Sequence, residues 1–322
     1  MKRFEHTNAT SVAEAVRLLA AQNARALAGG TDLLGIMKEE LLPTERVVNL
    51  KTIPGLDAIK EESGELRIGA LARLADLAAS ALVAQKAPAL AQAAAAVASP
   101  QIRTMGTLGG NLAQKVRCWY YRDPDRADCY KRGGSFCYAV FGASDLHALF
   151  DGAACFAVQP SDTAVALSAL GASLVVAGPA GQRVVGVDDF FIGPDVDYLR
   201  ETALKPDELI VEVRIPASAL GQKSVFLKAA PRRSIDFARG SVAALVLGSP
   251  VQRARLSLGA VAPTPKRASA AEAFLAGKKL QADVIAQAAT LATAGAKPLA
   301  GNAYKVQLIQ GLVRQALTRL AA

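Results

Sequence analysis

The strongest constraint on the fold is the alternation of short helical and strand patterns along the first two thirds of the chain. Ser11 and Glu14 form a capping-box pattern ahead of apolar residues at helical spacing, which predicts a helix over 11–21. Further patterns predict strands at 25–28, 46–50, 65–71, 172–178 and 208–216, a short helix capped by Thr31 or Asp32, and helices at 88–99 and 162–170. The sequence therefore predicts alternating α and β structure in short units.

A different order of elements begins near residue 217, after the strand pattern that ends at Pro216. Strand patterns come first, at 224–230, 240–248 and 253–261, and helical patterns follow at 270–276, 282–294 and 304–320. Strands followed by helices are typical of an α+β domain. We therefore expect an α+β protein with domains at 1–217 and 218–322, the second of which has a three-stranded sheet and helices.

Composition and charge exclude several functional classes. A chain of 322 residues with 52% hydrophobic content is large enough for real cores, and no apolar run approaches the ~18 residues of a membrane span. The start, MKRFEHTNATSVAEAV, has no apolar signal segment, so we expect a cytoplasmic protein by default, or a periplasmic one if a signal-bearing partner exports it. The net charge of +9 is spread along the chain without a nucleic-acid-binding pattern, so we expect no nucleic-acid partner.

Two glycine-rich stretches have the chemistry of an anion-binding site. They are LAGGTDLL (27–34) and TMGTLGGNLA (104–113), where glycines allow the backbone to approach a phosphate and N–H groups at a helix start point at its charge. Together the two loops are suited to one pyrophosphate. The alternative is that each is only a tight turn. Neither stretch has the Rossmann or the P-loop pattern, so a dinucleotide would be held in another fold.

The four cysteines of the chain fall within one polar, charged span, as Cys118, Cys129, Cys137 and Cys155. Reduced thiols in a core, two disulfides and a zinc site are the alternatives. A polar surrounding argues against the first, an ample core without a signal sequence against the second, and the lack of close cysteine pairs against the third. The spacing favours a [4Fe–4S] cluster, with His147 as an alternative to one thiolate. Six neighbouring cations would offset its negative charge, or form a solvated loop or a docking face: Lys115, Arg117, Arg122, Arg126, Lys131 and Arg132.

A series of ordered motifs resembles a known family. AGGTDLL, IRTMGTLGGNLA, PSDTAVALSALGA, DDFF, DELIVEVRIP and KAAPRRSIDFA occur as in the FAD-binding medium subunit of the xanthine dehydrogenase and aldehyde oxidoreductase family of molybdenum hydroxylases. LGAVAPTPKRA and NAYKVQL extend the resemblance over essentially the whole chain. Within the family, the chain is most similar to the FAD subunit of the bacterial three-subunit aldehyde oxidoreductases, in which the same segment carries an extra [4Fe–4S] cluster. The benzoyl-CoA-type reductases have a comparable insertion.

The resemblance implies a vanillyl-alcohol-oxidase-like FAD-binding fold rather than a Rossmann fold. Sub-domains at about 1–60 and 61–217 would clasp FAD, and the cysteine segment at about 114–155 would be an insertion between GGNLA and PSDTA. The implied FAD-contact residues are Ala28, Gly29, Gly30, Thr31, Asp32 and Leu33 at the pyrophosphate, Thr107, Gly109, Gly110 and Asn111 in the second loop, Asp162 at polar groups of the cofactor, and Lys228 near the flavin ring. Lys228 as a surface residue is the alternative to the last of these.

The resemblance also implies an activity and partners. The chain lacks the C-x4-C-x2-C spacing of a plant-type [2Fe–2S] domain and is too short for a molybdenum-cofactor domain, so it would not oxidise the organic substrate alone. We expect a heterotrimer with a large molybdenum-cofactor subunit and a small [2Fe–2S] subunit, in which FAD passes electrons to an external acceptor. The alternatives are an FAD subunit for a xanthine, CO or aromatic acyl-CoA substrate, a self-contained flavin oxidase, and a subunit that has lost its cofactor.

Overall fold

The computed structural model describes residues 1–232 and 234–322. Its strands are β1 Glu5–Asn8, β2 Ala24–Leu27, β3 Arg46–Asn49, β4 Ile59–Glu62, β5 Glu65–Gly69, β6 Ser173–Gly178, β7 Gly181–Gly186, β8 Leu209–Ile215, β9 Ser224–Ala229, β10 Gly240–Leu247, β11 Arg253–Gly259 and β12 Lys266–Arg267. Its α-helices are α1 Val12–Leu19, α2 Leu33–Lys38, α3 Leu74–Ala79, α4 Ala81–Lys86, α5 Pro88–Ala96, α6 Pro100–Met105, α7 Leu108–Leu112, α8 Trp119–Arg122, α9 Tyr138–Phe141, α10 Asp162–Leu170, α11 Val187–Phe190, α12 Ser269–Leu275, α13 Ala282–Leu291 and α14 Tyr304–Ala321.

The N-terminal sheet is small and parallel, in the order β1-β3-β2. The side chain of Ser11 caps α1 by accepting from the Glu14 N–H at 3.1 Å, while Glu14 reaches back to the Thr10 N–H at 2.7 Å. This reciprocal cap starts the helix that crosses from β1 to β2. Strand β2 ends at Leu27, and the first glycine loop (28–33) connects it to α2.

The second sheet is antiparallel, in the order β4-β5-β8-β6-β7, and it lies between two hydrophobic cores. Strand β8 shows how this is built, because Leu209 and Val211 pack on the N-terminal unit while Ile210, Val213 and Ile215 pack on the helical side. The helical side consists mainly of α3, α5 and α10. Burial of both faces explains the continuous apolar run LIV at the start of the strand, and the partly buried Glu212 and Arg214 further along pair with each other.

The C-terminal sheet is also antiparallel, in the order β12-β11-β10-β9. One face packs on α12, α13 and α14 through residues such as Val242, Leu256 and Ile309. The other face joins the helical core through Phe226, Ala243 and Leu245. The candidate site lies where the two glycine loops approach the start of α10 and the end of β9.

The predicted fold class is confirmed, and most predicted elements lie within a few residues of their expected bounds. The differences are additional elements. They are the strands β1, β4 and β7, the short helices α3, α4, α6, α7, α8, α9 and α11, and a fourth, two-residue strand β12 in the C-terminal sheet. Asp32 precedes α2, but its side chain makes no cap hydrogen bond to the helix. In the part of the chain that the structure describes, no helix has the length and apolar character needed to cross a membrane.

Candidate cofactor-binding site

One cavity of about 410 Å³ lies between the two glycine loops and the first turn of α10. The structure places all twelve of the predicted FAD-contact residues on its wall: Ala28, Gly29, Gly30, Thr31, Asp32, Leu33, Thr107, Gly109, Gly110, Asn111, Asp162 and Lys228. Apolar side chains such as Ile36, Leu50 and Leu74 complete the lining. Residues that are distant in sequence are therefore brought together in a concave, mostly apolar site of the kind that binds cofactors.

Three glycines have different roles in building this wall. Gly30 has φ +73°, a left-handed conformation that glycine adopts without strain. At Gly29 a Cβ would overlap the carbonyl oxygen of Met105, and at Gly109 it would lie 2.9 Å from the Ala70 Cβ. Gly29 and Gly109 therefore allow the backbone of each loop to pack against neighbouring protein, a need that the anion argument alone does not predict.

The first glycine loop has free backbone donors at four consecutive residues, whereas most donors of the second loop bond within the protein. Within residues 1–232 and 234–322, the N–H groups of Gly30, Thr31, Asp32 and Leu33 donate to no protein acceptor. In the second loop, the Leu108 and Gly109 N–H groups donate to backbone carbonyls at 2.9 and 2.8 Å, and Gly110 donates to the Thr107 side chain at 3.2 Å. The first loop thus has the run of consecutive free donors that suits a phosphate.

Asn111 and the start of α10 form a fixed polar patch on the cavity wall. The Asn111 Oδ1 accepts hydrogen bonds from the Ser161 hydroxyl at 2.6 Å and the Thr163 hydroxyl at 2.7 Å. The Ser161 oxygen in turn accepts from the Ala164 N–H and caps α10. These bonds orient the amide so that its oxygen faces α10, and the described residues offer its nitrogen no acceptor.

Asp162 and Lys228 form a buried ion pair at the same wall. The Lys228 Nζ lies 2.8 Å from the Asp162 Oδ2 and donates to the Ala96 carbonyl at 3.0 Å. Their side chains are 7% and 10% exposed, so the surface alternative for Lys228 is wrong. Burial raises the pKa of Asp162, and the Lys228 ammonium opposes that shift.

Asp32 connects the first glycine loop to the cysteine segment (114–155). Its carboxylate accepts from the Lys115 N–H at 2.8 Å and pairs with Arg117 at 3.0 Å and Arg122 at 2.9 Å. Glu201 forms a second anchor, because Lys115 and Lys131 both pair with it. The Asp32 side chain therefore binds the cysteine segment, and it does not cap α2 as its position predicts.

These anchors change the interpretation of the basic run. Five of its six cations pair with carboxylates: Lys115, Arg117, Arg122, Arg126 and Lys131. Arg132 donates to the Asp123 carbonyl at 2.7 Å. The six cations therefore belong to a hydrogen-bonded network with Asp32, Glu39, Asp123 and Glu201, rather than to a freely solvated loop.

The four cysteines are free thiols in a compact part of the segment. Cys118 and Cys155 pack with Val116, Tyr121 and Ala157. Burial, with a smaller contribution from the charge of Cys155 and Cys129, raises the pKa of Cys118 to about 12. Burial also raises the pKa of Cys155 to about 11, and Cys137 and Cys129 add to that effect.

His147 is buried against the same group. Its Nε2 lies 3.3 Å from the Cys118 Sγ, and the Trp119 ring meets the imidazole edge at a centroid distance of 5.3 Å. Burial and the nearby Lys305 ammonium lower the pKa of His147 to about 4. Within residues 1–232 and 234–322, however, no three His, Cys, Asp or Glu side chains are arranged to hold a metal ion.

Family comparison covers nearly the whole chain. Residues 2–218 match the FAD binding domain in molybdopterin dehydrogenase, and residues 225–320 match the CO dehydrogenase flavoprotein C-terminal domain. The cavity described above lies mostly within the first of these matches. The chain therefore contains an FAD-binding domain.

Individual relatives and solved structures agree with this. The aldehyde oxidoreductase FAD-binding subunit PaoB of Escherichia coli K12 is 38% identical, covering 100% of this chain and 99% of the relative. The carbon monoxide dehydrogenase medium chain of Hydrogenophaga pseudoflava is 32% identical, covering 98% and 96%. A carbon monoxide dehydrogenase structure from that organism aligns with a TM-score of 0.78 at 33% identity over 98% of this chain and 96% of that one. The chain therefore belongs to the family of FAD-binding subunits of molybdenum hydroxylases and is an oxidoreductase subunit.

Proposed function

We propose that this chain is the electron-transfer FAD subunit of a heterotrimeric molybdenum-containing aldehyde oxidoreductase. It would accept electrons from the [2Fe–2S] centres of a small partner subunit and deliver them to an external acceptor, while a large partner holds the molybdenum cofactor. The observation that carries the aldehyde assignment is the 38% identity to the E. coli aldehyde oxidoreductase subunit along the entire chain. We also propose the domain division 1–217 and 218–322, with an inserted cysteine segment.

The residues of the cavity fit FAD by their donors and shape. FAD, when bound, supplies the exchange of one and two electrons, and the protein supplies its placement. The free N–H groups of the first glycine loop would hold the diphosphate, and the Asn111 amide nitrogen would donate to a second polar group. The neutralised pair of Asp162 and Lys228 would keep the wall polar without adding net charge.

We further propose a [4Fe–4S] cluster ligated by Cys118, Cys129, Cys137 and Cys155. The confinement of all four cysteines of the chain to residues 118–155 supports it, as does the Ala157 N–H, which lies 3.5 Å from the Cys155 Sγ. Such N–H groups are one means of tuning a cluster. The described residues form no ready single-ion site, so the proposal depends on a cluster that bridges more widely spaced thiolates.

Single Cys-to-Ser variants test the cluster. We expect about four irons and sulfides per wild-type chain, as a [4Fe–4S] cluster requires, with a sharp fall in Cys118→Ser, Cys129→Ser, Cys137→Ser and Cys155→Ser. His147→Ala should keep its iron, because four thiolates suffice. The measurements are iron and acid-labile sulfide, with low-temperature EPR after dithionite reduction. One zinc without sulfide, or four titratable thiols after anaerobic purification, would contradict the cluster.

The purified chain alone tests the division of labour between subunits. We expect flavin and iron–sulfur absorption but no aldehyde oxidation with any dye, since the chain lacks the molybdenum and [2Fe–2S] modules. Robust turnover without larger polypeptides would favour a self-contained flavin oxidase. Purification with co-expressed partners, followed by a screen of aldehydes, xanthine, CO and aromatic acyl-CoA substrates, distinguishes the remaining members of the family.

A further inference from the structure

Arg117 belongs to the cysteine segment, yet its side chain also lines the cavity. In the described part of the chain, the cavity has four cationic side chains, Arg25, Lys115, Arg117 and Lys228. Arg25 donates to backbone carbonyls, Lys115 pairs with Glu201, and Lys228 pairs with Asp162. Among these four side chains, only that of Arg117 pairs with a residue of the first glycine loop.

The Arg117 guanidinium is held in place with donors to spare. Its Nη2 lies 3.0 Å from the Asp32 Oδ1 and donates to the Gln114 Oε1 at 3.2 Å. The Phe237 ring lies 5.0 Å from its central carbon. Its Nε is buried without an acceptor, and Nη1 has none within residues 1–232 and 234–322.

We propose that Arg117 contacts the bound cofactor and donates from Nη1 to the FAD diphosphate. A planar guanidinium suits phosphate oxygens, and a cation here offsets the repulsion between the Asp32 carboxylate and the diphosphate. The inference rests on the proposed binding of FAD in this cavity. It places one FAD contact on the residue next to Cys118, so the cysteine segment completes the FAD site.

Arg122 provides a matched control. Its Nη2 lies 2.9 Å from the same Asp32 oxygen, with 14% of the side chain exposed, but it does not line the cavity. Arg122→Gln therefore removes the same charge from the same carboxylate without removing the cofactor contact. Arg117→Lys keeps the charge and loses the planar fork.

The test is titration of the full-length, FAD-depleted chain with FAD, ADP and riboflavin. We expect Arg117→Gln to raise the Kd for FAD and for ADP about 10- to 100-fold, the effect of one charge-assisted hydrogen bond, and to leave riboflavin binding unchanged. Arg122→Gln should change each Kd about fivefold or less. Arg117→Lys should fall between them, and it decides the question if Arg117→Gln does not fold.

Equal losses in Arg117→Gln and Arg122→Gln would show that Arg117 acts only through Asp32, and would overturn the proposal. An unchanged Kd in both Arg117 variants, with tight binding by the wild type, would also overturn it. Failure of the wild-type chain to bind FAD would instead contradict the proposed function. Iron content, measured on the same samples, shows whether a variant has lost the cysteine segment rather than the contact.

Discussion

Alanine substitutions at Gly30 and Gly35 should change stability in opposite directions, although the two glycines are five residues apart. Gly30 has φ +73°, and an alanine there costs about 1–2 kcal/mol. Its Cβ would also lie 3.1 and 3.2 Å from methyl carbons of Leu34 and Leu27. Gly35 lies inside α2 with nothing within 4 Å of a Cβ, so alanine there should stabilise by about 0.5–1 kcal/mol.

The free energies of unfolding of the two variants should therefore differ by about 1.5–3 kcal/mol. At about 2–4 °C per kcal/mol for a unit of this size, the melting temperatures should differ by about 3–12 °C. Calorimetry of the FAD-free chain measures this, and equilibrium dialysis then measures FAD affinity. Gly30→Val, with a branched side chain at the same φ, should lose FAD, while Gly35→Ala keeps it. A Gly30→Ala variant that melts no lower than Gly35→Ala, or a Gly30→Val variant with full flavin content, would refute the reasoning.

Three further outcomes are expected. Gly110→Val should bind FAD more weakly in dialysis, because its Cβ would lie 3.0 Å from the Thr107 hydroxyl at the cavity wall; unchanged affinity would contradict this. Lys228→Met should destabilise the chain to denaturant by up to about 3–5 kcal/mol, because Asp162 loses its buried cation, and Asp162→Asn in the same chain should restore part of that; no recovery would show that the pair is not the cause. Burial lowers the pKa of Lys305 from 10.5 to about 7, so the unfolded chain binds the extra proton between these values, and wild-type stability should rise from pH 7 toward 10 relative to Lys305→Met. A constant difference between the two over that range would contradict the shift.

Strands with a long apolar run were predictable from the sequence, and polar strands were not. Strand β10, GSVAALVL, is buried over most of its length, and its apolar run predicts it directly. Strand β1, EHTN, has no apolar alternation and is largely exposed. It forms because β3 offers it a parallel partner, and that pairing depends on tertiary structure. Strand propensity and hydrophobic pattern are properties of one segment, whereas a polar edge strand such as β1 forms only because a neighbouring strand pairs with it.

The candidate site divides in the same way. Glycine pairs, the PSDTA motif and Lys228 have signals in the sequence, and all their predicted residues line one cavity. The contribution of Arg117 has no such signal, because it depends on Asp32, which lies in another element far along the chain. From the sequence alone, the six cations of the segment form one group, which would offset cluster charge or form a solvated loop or a docking face. Their partners in the structure give them different roles. Arg117 lines the cavity, Lys131 anchors the segment to Glu201, and Arg126 pairs with Asp123 inside the segment.

The anchors also bear on whether the cysteine segment is an independent addition to the fold. Asp32 and Glu201 have side chains that are 15% and 8% exposed, and their cationic partners come from the segment. Deletion of the segment would leave both carboxylates partly buried without those partners. A buried carboxylate without a cation destabilises a fold more than an apolar residue at the same position does. A protein of this fold without such a segment would have to fill or neutralise these positions in another way. In this chain, disorder of the segment should reach the first glycine loop through Asp32, so loss of the cysteine segment and loss of FAD are physically coupled events.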